Sequence, residues 1–199
     1  MSYSRIGSGA DEVLISEGKA REMAESYVRA ISRGPGPRLV IPEECVSEIE
    51  VGWLFEYTSE RYLKTRDPGD ALYGPAPFLV DRDDGFVFPL GPVPDIEENL
   101  EEYCRVRNRF QEVQSIEELE SMLKAEASGA IALIKVQEAQ DPPRGYTAWS
   151  DGGQVRIIDN VTERPVKLQK RSGMSIKFVW FQPALLRGSR RTSSFSATW

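Results

Sequence analysis

Gly34-Pro35-Gly36-Pro37 narrows the possible folds more than any other feature, because it cuts one helical segment off from a long stretch of strand-like sequence. Proline lacks the amide donor a helix needs, and glycine loses the most backbone freedom on entering one. Before this break, Ala20, Met23, Ala24, Tyr27, Val28 and Ile31 recur at helical spacing. The spacing predicts a helix from Glu17 to about Arg33, with Ser16 accepting from its first free amides. Such a helix has one apolar face and must pack on the sheet formed beyond the break. There, Arg38 to Ile41, Val46 to Val51 and Trp53-Leu54-Phe55-Glu56-Tyr57 read as strands. Ser59 to Lys64 reads as a helical turn, while Asp67-Pro68-Gly69-Asp70 and Gly74-Pro75-Ala76-Pro77 read as loops. Phe78-Leu79-Val80 and Phe86-Val87-Phe88 flank Arg82-Asp83-Asp84-Gly85, the pattern of a β-hairpin with an Asp-Gly turn. Gly91-Pro92-Val93-Pro94 ends this sheet, and Ile96 to about Arg105 reads as a second helix. No strand–helix–strand alternation repeats, so the expected class is α+β with antiparallel sheets.

A second half begins near Asn108. Ser115 followed by Glu118 is a capping box opening a helix with Leu119, Met122 and Leu123 on its apolar stripe. Ala130 to Val136, Tyr146 to Trp149, Val155 to Ile158, Pro165 to Leu168 and Ile176 to Trp180 are strand candidates, with Asp151-Gly152-Gly153 as a hairpin turn. The expected organisation is a disordered lead-in over 1–15, an α+β domain over 16–107, a second α+β domain over 108–186 and a flexible basic tail over 187–199.

The function classes open to such a chain are narrowed by what it lacks. There is no histidine, and the two cysteines are Cys45 and Cys104. No zinc ligand set of the usual kind can be assembled, and any thiol nucleophile would lack the imidazole that normally activates it. Asp81-Arg82-Asp83-Asp84-Gly85 is acidic enough to consider for a hard cation, but it lacks the later Glu of an EF-hand loop and reads as a solvated turn. Gly34-Pro35-Gly36-Pro37 has prolines where a phosphate loop needs amides. Glu43/Glu44, Asp83/Asp84 and Glu97/Glu98 are adjacent acids that read as solvated charges and not as an acid–base pair. The expected answer is no enzyme and no cofactor.

Net charge is −6, unevenly spread: residues 1–107 carry 21 acidic and 12 basic side chains, and residues 108–199 carry 10 and 13. An acidic first half argues against nucleic acid and for a basic protein partner. No run reaches the roughly 20 apolar residues of a membrane span, and Met1 to Gly9 lacks the apolar core of a secretory signal. No membrane association and a cytoplasmic place with reduced thiols are therefore expected.

Gly52-Trp53-Leu54-Phe55, Tyr62-Leu63, Ala71-Leu72, Gly74, Ala76-Pro77 and Val80-Asp81 through Gly85 occur in an order that resembles the immunity protein 35 (YrhB-like) family over about residues 16–105. Pro75 stands where that family usually has Asn, and Glu56 where an aromatic is common. The resemblance implies binding and neutralising a cognate bacterial toxin, without catalysis. With the acidic half, it makes Glu43, Glu44, Asp81, Asp83, Asp84, Glu97 and Glu98 the candidate contacts for a toxin with a basic surface. Trp53, Phe55 and Tyr57 share one strand face and read as core, not contact. In the second half, Gly129 to Ile134, Gly145 to Trp149, Gly153 to Val155 and Ile158-Asp159 resemble the end of papain-fold bacterial toxins, some of them glutamine deamidases. Gly145-Tyr146 stands where those toxins have Gly-His, so this resemblance implies an inactive relative. A degenerate toxin fused to its immunity module and a chaperone-like binding module stay open as alternatives.

Overall fold

A computed structural model of the chain describes residues 14–33, 36–72, 77–91, 96–126, 130–139, 141, 143–151 and 153–181. Residues 1–13 of the lead-in, the glycine–proline break at residues 34 and 35 and the basic tail lie outside these, while at the end of the lead-in the Ile15 amide donates to the Arg82 carbonyl.

Helix α1, Glu17–Ile31, begins where its spacing places it, and Ser16 Oγ accepts from the Lys19 amide. Strand β1 (Leu39–Val40) follows, then a 3-10 turn (Glu43–Cys45), β2 (Val46–Ile49), β3 (Gly52–Phe55) and β4 (Thr58–Ser59). Helix α2 (Glu60–Thr65), a 3-10 turn (Pro68–Asp70), β5 (Phe78–Asp81), β6 (Val87–Pro89) and α3 (Ile96–Val106) complete the first half. The second half contains β7 (Gln111–Val113), α4 (Ile116–Ala125), β8 (Ile131–Glu138), β9 (Arg144–Asp151), β10 (Gln154–Asp159) and β11 (Met174–Phe181). The architecture is α+β, with every strand pair antiparallel. β2-β3-β5-β6 form a four-stranded sheet and β10-β9-β8-β11-β7 a five-stranded one, while β1 pairs with β4.

Strand alternation divides the interior into three clusters. Trp53, Phe55, Phe78 and Val80 face α1 and meet Ala20, Ala24 and Val28. The aromatic face expected on β3 is thus core, and Tyr57 packs against its edge. The opposite face, bearing Leu79 and Phe88, is covered as well. It packs against Tyr103 and Val106 of α3 and against Leu133, Val179 and Phe181 of the second sheet. The far face of that second sheet, with Ala132, Ile134, Ala148 and Phe178, holds Ile116, Leu119 and Leu123 of α4. The two halves therefore share the middle cluster, in the order helix, sheet, sheet, helix, with α3 contributing to the central layer.

Two expectations need correction. Pro165 to Leu168 is not a strand: Pro165 forms a single bridge to Ile158, the Val166 amide donates to the Ile157 carbonyl, and Val166 and Leu168 then pack on the α4 cluster. In the box opening α4, Ser115 Oγ accepts from the Glu118 amide as expected, but the Glu118 carboxylate reaches the Gln114 amide, one residue earlier than a standard box.

Candidate functional site

The β5–β6 turn is where most of the chemistry-bearing side chains meet. Gly85, at φ +76°, closes it, and a Cβ there would sit 2.5 Å from Met23 Sδ of α1. The Asp-Gly turn is thus required both by backbone conformation and by the helix lying on it. Asp81, at the end of β5, is 1% exposed. Its Oδ2 accepts from Tyr103 Oη at 2.7 Å and from Arg107 Nε at 2.9 Å. Its Oδ1 accepts from Arg107 Nη2 at 2.7 Å and from the Asp83 amide at 2.9 Å. Arg107 Nη2 also reaches Asp83 Oδ2 at 2.6 Å. Burial pushes the Asp81 carboxyl up, but the bonds from Arg107, Tyr103 and the Asp83 amide, with the Lys135 charge, outweigh it and hold the carboxyl below its ordinary value. Burial, and then Asp81, push the Tyr103 phenol well up, so it stays a donor at neutral pH.

Asp84 completes the arrangement from the other side. Its Oδ1 caps the Phe86 amide and its Oδ2 accepts from Lys135 Nζ at 2.8 Å. Lys135 is buried on β8, with its ammonium 4.5 Å from the Phe86 ring centre and 4.4 Å from that of Phe110. One acidic turn of the first half is therefore clamped by a cation from α3's exit and by another from the second sheet. The turn read from sequence as solvated is, at Asp81, a buried and fully bonded junction. Arg82 points away from it: Nη2 reaches Glu48 Oε1 at 2.6 Å and the guanidinium lies 4.7 Å from the Trp53 ring centre. Trp53 Nε1 and Arg82 Nε are buried without a hydrogen-bond partner among the described residues.

The other candidate acids sit on separate elements. Glu43 and Glu44 are exposed in the 3-10 turn before β2, and Glu97 and Glu98 are exposed in the first turn of α3. The structure brings Asp81, Asp83 and Asp84 together and places the other four on two further elements. Sequence reasoning missed Tyr103, Arg107 and Lys135, because their partners lie 22, 26 and 51 residues away.

No activated nucleophile accompanies these groups. Cys45 and Cys104 are unpaired thiols. Burial raises both above their ordinary value, and Cys104 gets only partial relief from Arg107. Among the described residues no group of three or more Cys, Asp or Glu is placed to hold a metal ion, and no helix is long and apolar enough to cross a membrane. The positions that resemble papain-fold toxins have structural explanations. Gly145 leaves room for the Phe86 ring, which would lie 3.0 Å from a Cβ there. Asp159 is buried and accepts from the Val161 and Thr162 amides, shaping the turn after β10.

Comparison with known proteins covers the first half. Residues 18–104 match the family model described as immunity protein 35. A 52-residue segment is 38% identical to the uncharacterized protein YrhB of Escherichia coli (strain K12), spanning 26% of this chain and 55% of that protein. The chain thus spans about half the length of the curated relative it matches. No solved structure matches. Residues 18–104, from α1 to α3, are thus the part of the chain that is similar to immunity protein 35.

Proposed function

We propose that this chain is a non-enzymatic immunity protein of the cytoplasm, which binds a cognate bacterial toxin and blocks it by contact. The observation that carries this reading is the family match over residues 18–104. The chemistry of the described residues is in keeping with it. The ionisable groups with the most displaced titration are the partly buried Tyr27, the buried Tyr103, and Arg107, all packed or paired within the fold. Burial raises both thiols above their ordinary value, which is in keeping with a role that does not rest on a thiolate nucleophile. The toxin would present a basic surface, since Glu43, Glu44, Glu97 and Glu98 are exposed on the acidic half. No observation favours a degenerate deamidase in the second half, because Gly145 and Asp159 are accounted for by packing and turn geometry.

The test is capture with the full chain as bait, because Leu133, Val179 and Phe181 complete the core of the first half. A captured toxin is then expressed alone and together with the chain. Growth arrest relieved by the chain, and by a Cys45→Ala/Cys104→Ala variant equally well, is expected. A captured toxin whose growth arrest persists in the presence of the chain would overturn the reading.

A further inference from the structure

The outer edge of β2 differs from the other edges of the two large sheets. The outer edge of β10 is closed by the chain itself, through the Ile158–Pro165 bridge and the Val166 amide on Ile157. At β7, Lys170 Nζ caps the Gln114 carbonyl at 2.6 Å. Strand β6 carries Pro89, which has no amide to offer, and lies against β9. Strand β2 pairs only with β3 among the described residues.

The register fixes which groups of β2 face outward. Ile49 pairs with Gly52 across a two-residue turn, and the Glu56 amide donates to the Cys45 carbonyl at the other end. Hydrogen-bonded and non-bonded pairs alternate in an antiparallel ladder. The bonded pairs are therefore 45–56, 47–54 and 49–52, and the amides and carbonyls of Val46 and Glu48 point away from β3. Between Arg38 and Arg61 the sequence has Glu43, Glu44, Glu48, Glu50, Glu56 and Glu60 and no lysine or arginine. Only Glu48, on Arg82, and Glu60, on Arg38 and Lys64, have ion-pair partners among the described residues.

We propose that the β2 edge is the docking site of the partner, which adds an extended lysine- or arginine-bearing segment as a fifth strand, its backbone pairing with Val46 and Glu48 and its cations facing Glu43, Glu44, Glu50 and Glu56. Main-chain pairing supplies adhesion at a free sheet edge, and the side chains flanking it select the sequence. The same acids repel a second copy of this edge, so the device excludes self-pairing while accepting a basic strand. This inference names the contact surface for the immunity reading and rests on that reading for its biological partner.

The probe is a short, capped peptide of alternating lysine and valine, titrated into the isotopically labelled full chain and followed by amide resonances. Shifts centred on the Val46 and Glu48 amides are expected, with affinity falling as salt rises. Methylating the peptide's pairing amides, or introducing Glu44→Lys with Glu50→Lys, should weaken binding roughly tenfold or more. Shifts spread over the acidic half, or binding that survives amide methylation, would overturn the proposal. A peptide that docks on β2, together with a captured toxin whose growth arrest persists in the presence of the chain, leaves the edge standing and removes the immunity reading. A captured toxin that binds Glu44→Lys/Glu50→Lys as tightly as the parent chain removes the edge and leaves the immunity reading.

Discussion

Replacing Asp81 with asparagine should weaken the hold of the β5–β6 turn on α3 and its exit, by an amount the geometry allows to be estimated. The carboxylate accepts four donors: the Tyr103 hydroxyl, two guanidinium nitrogens of Arg107 and the Asp83 amide. Asparagine keeps one acceptor oxygen and turns a donor toward the others, so at least one charge-assisted bond is lost to a donor–donor contact. Removing one partner of a buried ion pair costs about 3–5 kcal/mol. Asp83 still holds Arg107 Nη2 at 2.6 Å, which places the effect toward the lower end, about 3 kcal/mol. For a chain of this length that corresponds to a fall in Tm of about 6–12 °C.

The pH dependence gives a second reading of the same bond. The Asp81 carboxyl is lowered in the folded state relative to the ordinary value of about 3.9. Its contribution is therefore fully present above that value and is lost as pH falls through the folded pKa. Urea unfolding followed by tryptophan fluorescence should show the variant well below the parent at pH 7, with the gap narrowing in acid below about pH 4. A difference under about 1 kcal/mol at pH 7, or a gap that does not narrow in acid, would refute the argument that the pair is buried and bonded as described.

Other perturbations test separate parts of the structure. Gly145→Val should destabilise by about 1–3 kcal/mol in thermal melts, because even a Cβ would lie 3.0 Å from the Phe86 ring. Ser115→Ala should lower stability by about 1 kcal/mol through the lost cap of α4, measured by chemical denaturation. Alkylation of Cys104 at neutral pH should run slower than that of a free model thiol, since burial raises its pKa; mass spectrometry of the modified chain gives the rate. Asp84→Ala, which leaves the Lys135 ammonium buried with aromatic faces alone, should unfold more easily than Asp84→Ala combined with Lys135→Met, which removes the stranded charge.

The parts of the fold written locally were legible from residues alone. Ser16, the helical spacing of α1, the Asp-Gly turn at Gly85 and the alternation of β3 each show in a pattern a few residues long. Family-like blocks from Gly52 to Gly85 could be recognised for the same reason. What stayed hidden depends on distant partners. Leu54 and Leu79 reveal a second buried face only once Leu133, Val179 and Phe181 arrive from the other half. Strand β7 has three residues and no pattern of its own, and exists because β11 offers it an edge. Pro165 to Leu168 alternates like a strand, yet its proline withholds one amide and its two apolar side chains are wanted on the α4 cluster. Asp81 looked like turn surface because nothing near it in sequence announces Arg107 and Tyr103.

The acids of the first half therefore divide by what surrounds them, and the division bears on binding. Asp81 is buried and its lone pairs are taken, so drawing it toward a partner would break the Arg107 pair at a cost of about 3–5 kcal/mol. It can serve recognition only by fixing the hairpin that carries β5. Glu43, Glu44, Glu50 and Glu56 have no ion-pair partner among the described residues and remain solvated, so a cation meeting them displaces only water and counterions. They also flank the edge of the first sheet opposite β6, the strand that lies against β9. A partner strand added there extends the sheet away from the shared core and leaves the Asp81–Arg107 and Asp84–Lys135 bridges untouched. Charge reversal at the edge should accordingly change partner affinity without changing Tm, whereas substitutions at these bridges should change Tm first and affinity only as the fold is lost.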